Sequence, residues 1–412
     1  MGQTTRTQAL PPAVLFRVRV SRMSDGERLP LVVDNAGLPV PLANQWALHV
    51  RRPQVQSGTL IEELRTLAHV HDWAARRGID LSERLHSGNG LTPAEITALY
   101  QNLRYERPSG RKISAEILSD ARHIKVVRSK VHASRVGMAR EYLLWGMERT
   151  LFRLNVGDPR ERAIRERCER VRRLAVDFQR SASDGRATRV GLDANQRARL
   201  LKIIHPEYKR NPFMRLVRFR NWVLILLLFS FGFRRGEILK LYVSDVNVKG
   251  RRPALTVRRR PGDIEDTRAN EPAVKTHGRE IPLSAEMARL INDYIQYHRP
   301  SFPDVEMSPF LFYSRVGKPL SLRMVNAIVE QIARRFPEFA NILTPHILRY
   351  TFNDMFVESA LKAGIDDNGL KSAQNYMNGW NLDSEQSALY SRRSTEERAR
   401  EISLIHQQSL FE

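Results

Sequence analysis

The apolar run WVLILLLF at 222–229 most strongly constrains how this chain can fold. It is far shorter than the roughly 20 apolar residues that a membrane-spanning helix needs. It is followed by Gly232, a residue type that commonly ends helices. The run therefore predicts a helix buried in the core of a water-soluble domain, with its end at Gly232.

The residues that follow this helix are charged and would lie at the edge of the hydrophobic core. The sequence GFRRGEILKL at 232–241 places arginines next to Glu237. An arginine held by a carboxylate at the edge of a core is a fixed, two-pronged clamp for a phosphate. An ordinary solvent-facing Arg-Glu pair explains this motif equally well when it is taken alone.

Two further segments carry candidate phosphate-binding groups. In TPHILRYTF at 344–352, Thr344 and Pro345 are typical of a helix start, and His346 and Arg349 share one helix face. In AVKTHGREIPL at 273–283, Lys275 lies at a short polar turn between two apparent strands. Taken singly, the first motif is an ordinary helix surface and the second an ordinary loop lysine.

Together, these motifs make residues 190–405 resemble the catalytic domain of the tyrosine recombinase family, also called phage integrases. The resemblance implies a role for each matching position. Arg234, Lys275, His346, Arg349, Trp380 and the nucleophile Tyr390 are the implied catalytic residues, and Glu237 is the acid that supports Arg234.

The chain departs from the family pattern in two places. Trp380 replaces the commoner histidine, so this position offers an indole N–H donor and packing but no exchangeable proton. The segment between Arg349 and Tyr390 is also longer than expected, with GIDDNGLKSA at 364–373 as the predicted insertion. This leaves Tyr376 and Tyr350 as rival nucleophiles. Tyr390 is preferred because of its interval from Trp380 and the basic SRR that follows it.

The composition indicates a polyanionic partner. The chain has 412 residues, 67 Lys and Arg against 45 Asp and Glu, and a formal charge of +22. Such an excess favours double-stranded DNA, and a membrane is excluded by the shortness of the apolar runs.

No metal, cofactor or disulfide is expected from the sequence. The single cysteine, Cys168, lies in RERCERVRR, which is interpreted as a charged helix face with an incidental thiol. The histidines of HVHD at 69–72 lack further clustered zinc ligands. The amino-terminal MGQTTRTQAL has no apolar signal core, so cytoplasmic residence, on the nucleoid when bound to DNA, is the expectation.

The expected fold is mainly α-helical, with four segments. Residues 1–56 form a short extended or β arm, with a hairpin around Asp-Asn-Ala-Gly at 34–37. Residues 57–156 form a helical domain that resembles the integrase core-binding domain, and 157–190 form a basic helical linker or an additional helix of that domain. Residues 191–412 form a mostly helical catalytic domain with a small antiparallel β-sheet and a carboxy-terminal helix that docks in cis or in trans.

The first helical domain carries a basic stretch at 121–152. Its candidate DNA-binding residues are Arg122, Lys125, Arg128, Lys130 and Arg135. A solvated charged face is the alternative interpretation.

The resemblance implies a site-specific recombinase or integrase of a mobile element. It would form a 3′-phosphotyrosyl intermediate without metal or ATP and act as a homotetramer on DNA, with accessory recombinases or DNA-bending proteins as possible partners. A type IB topoisomerase shares the chemistry, but the helical amino-terminal domain favours recombination. A noncatalytic DNA-binding protein of the same fold would show losses at the catalytic positions, all of which are filled.

Overall fold

A computed structural model describes residues 15–107, 125–179, 190–250, 252–362 and 367–380. The described residues form two compact units. The first contains a hairpin and the helices up to Gln179, and the second contains the helices and strands from Ala194 onward. In the described part of the chain, every helix is too short or too polar to cross a membrane.

The hairpin of the first unit packs on a helix of the same unit. Strands β1 (Phe16–Arg22) and β2 (Arg28–Asp34) pair antiparallel, with Phe16 opposite Asp34. Asp72 of helix α2 (Ser57–Ala75) accepts hydrogen bonds from the backbone N–H groups of Leu15 and Phe16, at 2.8 and 2.9 Å. These bonds attach the hairpin to the helical core.

This part of the chain contains two hairpin turns. The predicted turn at Asp34–Gly37 is formed, because the Gly37 N–H donates to the Asp34 carbonyl at 3.1 Å and Val33 and Pro39 form an antiparallel bridge across it. The turn that joins β1 to β2, between Arg22 and Arg28, has no counterpart in the prediction.

The remaining helices of the first unit enclose a core rich in aromatic residues. They are α1 (Pro41–Trp46), α3 (Leu81–His86), α4 (Pro93–Asn102), α5 (Ser129–Leu151) and α6 (Arg160–Gln179). Helix α4 begins with a capping box, in which Thr92 and Glu95 exchange side-chain to backbone hydrogen bonds. Trp46, Trp73, Tyr100 and Tyr142 are fully buried in this core.

Helix α6 belongs to the first unit. Its buried residues Ile164, Cys168, Val171 and Ala175 recur at helical spacing and join the core of that unit. The interpretation of Cys168 as part of a charged face is wrong, because its side chain is 2% exposed. Burial raises the pKa of this thiol to about 11, so it is an unreactive core residue.

The second unit is mostly helical. Its helices are α7 (Ala194–Ile204), α8 (Arg215–Phe231), α9 (Arg235–Leu239), α10 (Ala285–Asp293), α11 (Leu322–Arg335), α12 (Pro345–Lys362) and α13 (Asp367–Asn378). The apolar run at 222–229 lies inside α8 as predicted. Helix α13 includes most of the predicted insertion.

A small antiparallel sheet completes the second unit. Strands β3 (Val246–Asn247), β4 (Ala254–Val257) and β5 (Arg279–Pro282) pair in that order, with Leu255 opposite Ile281. The apolar, aromatic segment PFLFYS at 309–314 makes isolated bridges at Phe310 and Tyr313 and forms no strand. The expected fold class, mainly α with a small antiparallel sheet, is confirmed.

Candidate functional site

The junction of α8 and α9 positions the first candidate arginine. Helix α8 ends at Gly232, which adopts the left-handed conformation with φ +60°. A Cβ atom there would lie 2.3 Å from the ring of Phe352, so only glycine fits. The chain then turns into α9, where the Arg234 backbone N–H donates to Glu237 at 2.9 Å.

Glu237 is a buried carboxylate surrounded by donors. It accepts hydrogen bonds from the Thr276 hydroxyl at 2.5 Å and from the guanidinium groups of Arg279 and Arg234 at 3.2 and 3.4 Å. Burial by itself would raise the pKa of this carboxyl, but the charges of Arg279 and Arg349 outweigh it and hold the pKa below its ordinary value. Glu237 is therefore an anion that holds several cations in place.

Arg349 on α12 converges with Arg234 on one oxygen atom. The Arg349 Nη2 donates to the backbone carbonyl of Asn378 at 3.4 Å, and the Arg234 Nη1 donates to the same carbonyl at 3.1 Å. Arg349 also donates to the Gly232 carbonyl. Three arginines around a single carboxylate leave an excess of positive charge, which suits an anionic ligand.

The carboxyl end of α13 supplies the other side of this cluster. Gly379 is left-handed, with φ +64°, and a Cβ atom there would lie 2.7 Å from Arg279. The next residue, Trp380, packs its indole against Arg349, with 5.3 Å between the guanidinium carbon and the ring centroid. Trp380 is thus close to the arginine pair.

The two remaining described candidates lie at the margin of the cluster. His346 is exposed in the first turn of α12, and its ring meets that of Tyr350 edge-on at 5.0 Å. Lys275 is exposed in the loop before β5, next to Thr276. The strand predicted after Lys275 is β5, but within the described range 252–362 no strand directly precedes Lys275, so the short turn predicted there is wrong and a long loop connects β4 to β5.

Tyr390 lies outside the described residues. Its two rivals are described, and each contacts another group. The Tyr376 hydroxyl donates to the carbonyl of Glu280 at 2.9 Å, and Tyr350 packs on His346.

Sequence reasoning missed three members of the cluster: Thr276, Arg279 and Asn378. Thr276 and Arg279 follow Lys275 in a strand-like pattern, and Arg279 occupies an inward position of β5, where an apolar residue is normal. That buried arginine was the available signal. Asn378 acts through its backbone, which a side-chain motif does not reveal.

The described candidate DNA-binding residues of the first unit divide into two groups. Lys125, Arg128 and Lys130 are exposed. Arg135 is half-buried and donates to the carbonyls of Leu103 and Tyr105 at 3.1 and 2.8 Å, so its guanidinium stabilises the protein itself. Arg122 lies outside the described residues.

Within the described ranges, one group of acids could hold a metal ion: Asp263, Asp266 and Glu271. The ammonium of Lys240 already lies among them, at 2.9, 3.0 and 2.5 Å. This buried lysine links α9 to the loop that leads to Lys275. The space between the three carboxylates is therefore occupied by the protein's own ammonium group.

A mostly helical unit with a small sheet and a convergent arginine pair defines the integrase-type class of fold. The sequence model of the phage integrase family matches residues 191–378, which contain this cluster up to Asn378. Over these residues the chain is similar to this family, the tyrosine recombinases.

Individual proteins are also similar to this chain. Transposase A from transposon Tn554 of Staphylococcus aureus is 30% identical over 138 residues, which are 32% of this chain and 34% of the relative. The match therefore spans about a third of that relative's length. Among solved structures, the Tn1549 transposon integrase in complex with transposon right end DNA has a TM-score of 0.50 at 17% identity, covering 87% of this chain and 98% of the other. The XerH site-specific recombinase bound to difH DNA has a TM-score of 0.48 at 13% identity, covering 89% and 94%.

Proposed function

We propose that this chain is a site-specific DNA recombinase or integrase of a mobile element, and that it cuts and rejoins DNA through a 3′-phosphotyrosyl intermediate. The observation that carries the proposal is the convergence of Arg234 and Arg349 on the Asn378 carbonyl. The similarity to a transposase and to a transposon integrase supports the assignment to a mobile element.

The arginine pair suits the charge that develops during attack on a phosphodiester. In the transition state, negative charge builds on the nonbridging oxygens, and preorganised N–H donors stabilise it. Arg234 is half-buried and has further N–H groups to offer. Arg349 is 1% exposed, so its contact with DNA requires movement of groups that cover it, among which is the Trp380 indole.

The proposed reaction conserves the energy of the broken ester. The Tyr390 oxygen bonds to phosphorus as the bond to the 5′ oxygen breaks. His346 receives the phenol proton, and Lys275 gives a proton to the departing 5′ oxygen. Attack by a second 5′-hydroxyl reverses these steps, so joining needs no ATP. Arginines take the role that a divalent metal has in other strand-transfer enzymes, and no cofactor is required.

The first unit is proposed to contact the DNA backbone through Lys125, Arg128 and Lys130, together with Arg122. Their exposed charges and the net charge of +22 support binding to double-stranded DNA. Recombination between two duplexes requires several copies of the protein, and we propose a homotetramer. We propose that it resides in the cytoplasm and is bound to the nucleoid. Accessory recombinases or DNA-bending proteins fit the same scheme.

A type IB topoisomerase would use the same chemistry as a monomer. The transposase and integrase relatives favour recombination over this alternative. The two differ in outcome, because a topoisomerase relaxes supercoiled plasmid without exchanging segments between duplexes.

Covalent trapping tests the proposal. The probe is a pool of labelled duplexes with randomised sequence, each nicked a few nucleotides beyond the central phosphate so that the short 5′-hydroxyl fragment dissociates. In EDTA, the full chain should accumulate a DNA-linked species on a denaturing gel, and Tyr390→Phe should not. An adduct lost in Tyr376→Phe but kept in Tyr390→Phe would contradict the choice of nucleophile, and no adduct with any duplex would overturn the proposed function.

A further inference from the structure

A buried cluster of three amide side chains lies behind the arginine pair. Asn353, Gln374 and Asn378 are each at most 2% exposed. The Asn353 Oδ1 accepts from Asn378 Nδ2 at 2.7 Å and from Gln374 Nε2 at 3.1 Å. In return, Asn353 Nδ2 donates to the Asn378 Oδ1 at 3.4 Å. Asn353 and Asn378 thus form a reciprocal amide pair between α12 and α13.

The same pair is tied to the backbone on both sides. Asn353 Nδ2 donates to the Arg349 carbonyl at 2.8 Å, one turn earlier on α12. Asn378 Nδ2 donates to the Gln374 carbonyl at 2.9 Å on α13. Because a satisfied buried network has few alternative arrangements, it fixes the end of α13 relative to the helix that carries Arg349.

The end of α13 presents carbonyls to the arginines: the Met377 carbonyl accepts from Arg279 Nε at 2.8 Å, and the Asn378 carbonyl accepts from Arg234 and Arg349. The N–H groups of Gly379 and Trp380 donate to the carbonyls of Tyr376 and Asn375, at 3.0 and 2.9 Å, which is the Schellman arrangement of a helix end. The Asn378 carbonyl has no partner within such a helix end, and the negative pole of the helix dipole favours cations there. Arg234 and Arg349 are the cations that it receives.

We infer that Asn378 is a positioning residue for the two arginines, and that Asn353 and Gln374 hold it in place. Its carbonyl takes one N–H from each guanidinium, which sets the relative orientation of the N–H groups left for the nonbridging oxygens of DNA. The inference rests on the proposed function and deepens it. In this inference, the amide cluster contacts neither the DNA nor the reacting atoms.

The test compares two substrates at saturating protein in single turnover. One is the nicked duplex recovered from the randomised pool, and the other is the same duplex with a methylphosphonate at the scissile position. The methyl group removes the formal charge from the nonbridging position, so precise placement of two guanidinium groups matters less. The variants are Asn378→Ala and Asn353→Ala. The control for lost stability is Ile291→Ala, because Ile291 lies in the core and is far along the chain from the amide cluster.

With the phosphodiester, each amide variant should cleave about 10-fold to 100-fold more slowly than the wild type, as expected for misplaced charge-stabilising groups. With the methylphosphonate, the loss should be no larger than that of Ile291→Ala, and the Kd for DNA should be unchanged. If either amide variant lacks a cooperative melting transition, Asn353→Ser takes its place in the same comparison. This substitution leaves Asn378 unchanged.

Two results would overturn the inference while leaving the proposed function in place. The first is an active wild type whose amide variants cleave the phosphodiester as fast as Ile291→Ala. The second is an equal loss on both substrates, which is the signature of a purely structural role. An inactive wild type would overturn the proposed function, and the inference with it.

Discussion

Arg234 and Arg349, far apart along the chain, donate to the same backbone oxygen, that of Asn378, at 3.1 and 3.4 Å. Each reaches it from a different element, the start of α9 and the second turn of α12. A shared acceptor fixes the relative position of the two guanidinium groups more closely than packing alone would, because each hydrogen bond is directional.

Replacing either arginine by lysine should strongly reduce cleavage. Lysine keeps the charge but lacks the planar fork that binds two oxygens, so Arg234→Lys and Arg349→Lys should each slow adduct formation by about 100-fold or more. The measurement is single-turnover trapping on the nicked duplex. The matched control is Arg235→Lys, whose exposed guanidinium donates to Asn326 at 2.7 Å. Wild-type rates in both site variants would refute a role for the guanidinium fork.

Glu237→Gln should destabilise the second unit in a pH-dependent way. Burial opposes ionisation of Glu237, but Arg279 and Arg349 lower its folded-state pKa below the unfolded-state value, which is near 4.3. The stabilisation by this carboxylate is therefore complete at pH values above the unfolded-state pKa, and it is lost as the pH falls through the folded-state pKa. We expect a loss of roughly 3 kcal/mol at pH 7.

The measurement for Glu237→Gln is the free energy of unfolding in urea between pH 7 and pH 3, with the exposed Glu330→Gln as control. The difference from wild type should shrink towards pH 3. A difference that stays constant over this range would contradict the electrostatic explanation.

Lys240→Met should be among the more damaging single substitutions in the second unit. Lys240 is 2% exposed, and its removal leaves Asp263, Asp266 and Glu271 without this cation. Breaking a buried ion pair by removing one partner costs roughly 3–5 kcal/mol. Thermal and urea unfolding measure the change, and Lys249→Met, at an exposed position, should be nearly neutral. Equal stability of the two variants would show that the cluster contributes nothing.

Gly379→Ala should impair both stability and cleavage. Gly379 combines a φ of +64° with close neighbours, because an added Cβ would lie 2.7 Å from Arg279 and 2.8 Å from Thr276. Gly250→Ala separates the two effects, since Gly250 also has positive φ but open space around it. We expect a loss of about 1 kcal/mol from backbone strain in both variants, with the loss of cleavage confined to Gly379→Ala. Equal cleavage by the two would contradict the importance of this close approach.

Removal of the exposed basic residues of the first unit should make DNA binding less sensitive to salt. In the triple variant Lys125→Ala/Arg128→Ala/Lys130→Ala, the slope of log K against log salt should become shallower by up to about 2.7, at about 0.9 for each DNA phosphate that the protein no longer neutralises. The double variant Arg162→Ala/Arg165→Ala is the control, because these arginines pair with acids on their own helix. Fluorescence anisotropy over a range of salt concentrations gives both slopes, and an unchanged slope in the triple variant would remove these residues from the interface.

Local signals in the sequence predicted much of the fold. The apolar run ending at Gly232 became α8, and the capping boxes at Thr92 and Asp193 mark the starts of α4 and α7. These features depend on residues within one helical turn of each other, so they can be predicted from the sequence. The run PFLFYS at 309–314 has the composition of a strand but makes only isolated bridges, because an apolar, aromatic run also suits a buried irregular segment.

The sequence by itself determined which chemical groups the chain carries and the helices that bear Arg234 and Arg349. Only the tertiary structure decided that the two arginines meet at the Asn378 carbonyl, that Arg279 and Thr276 join them at Glu237, and that Arg135 serves the protein itself. The physical reason is that hydrogen-bond propensity is local to each residue, whereas the choice of partner depends on how remote helices pack. A backbone carbonyl carries no side-chain signature, so its role emerges only once the helix end is placed.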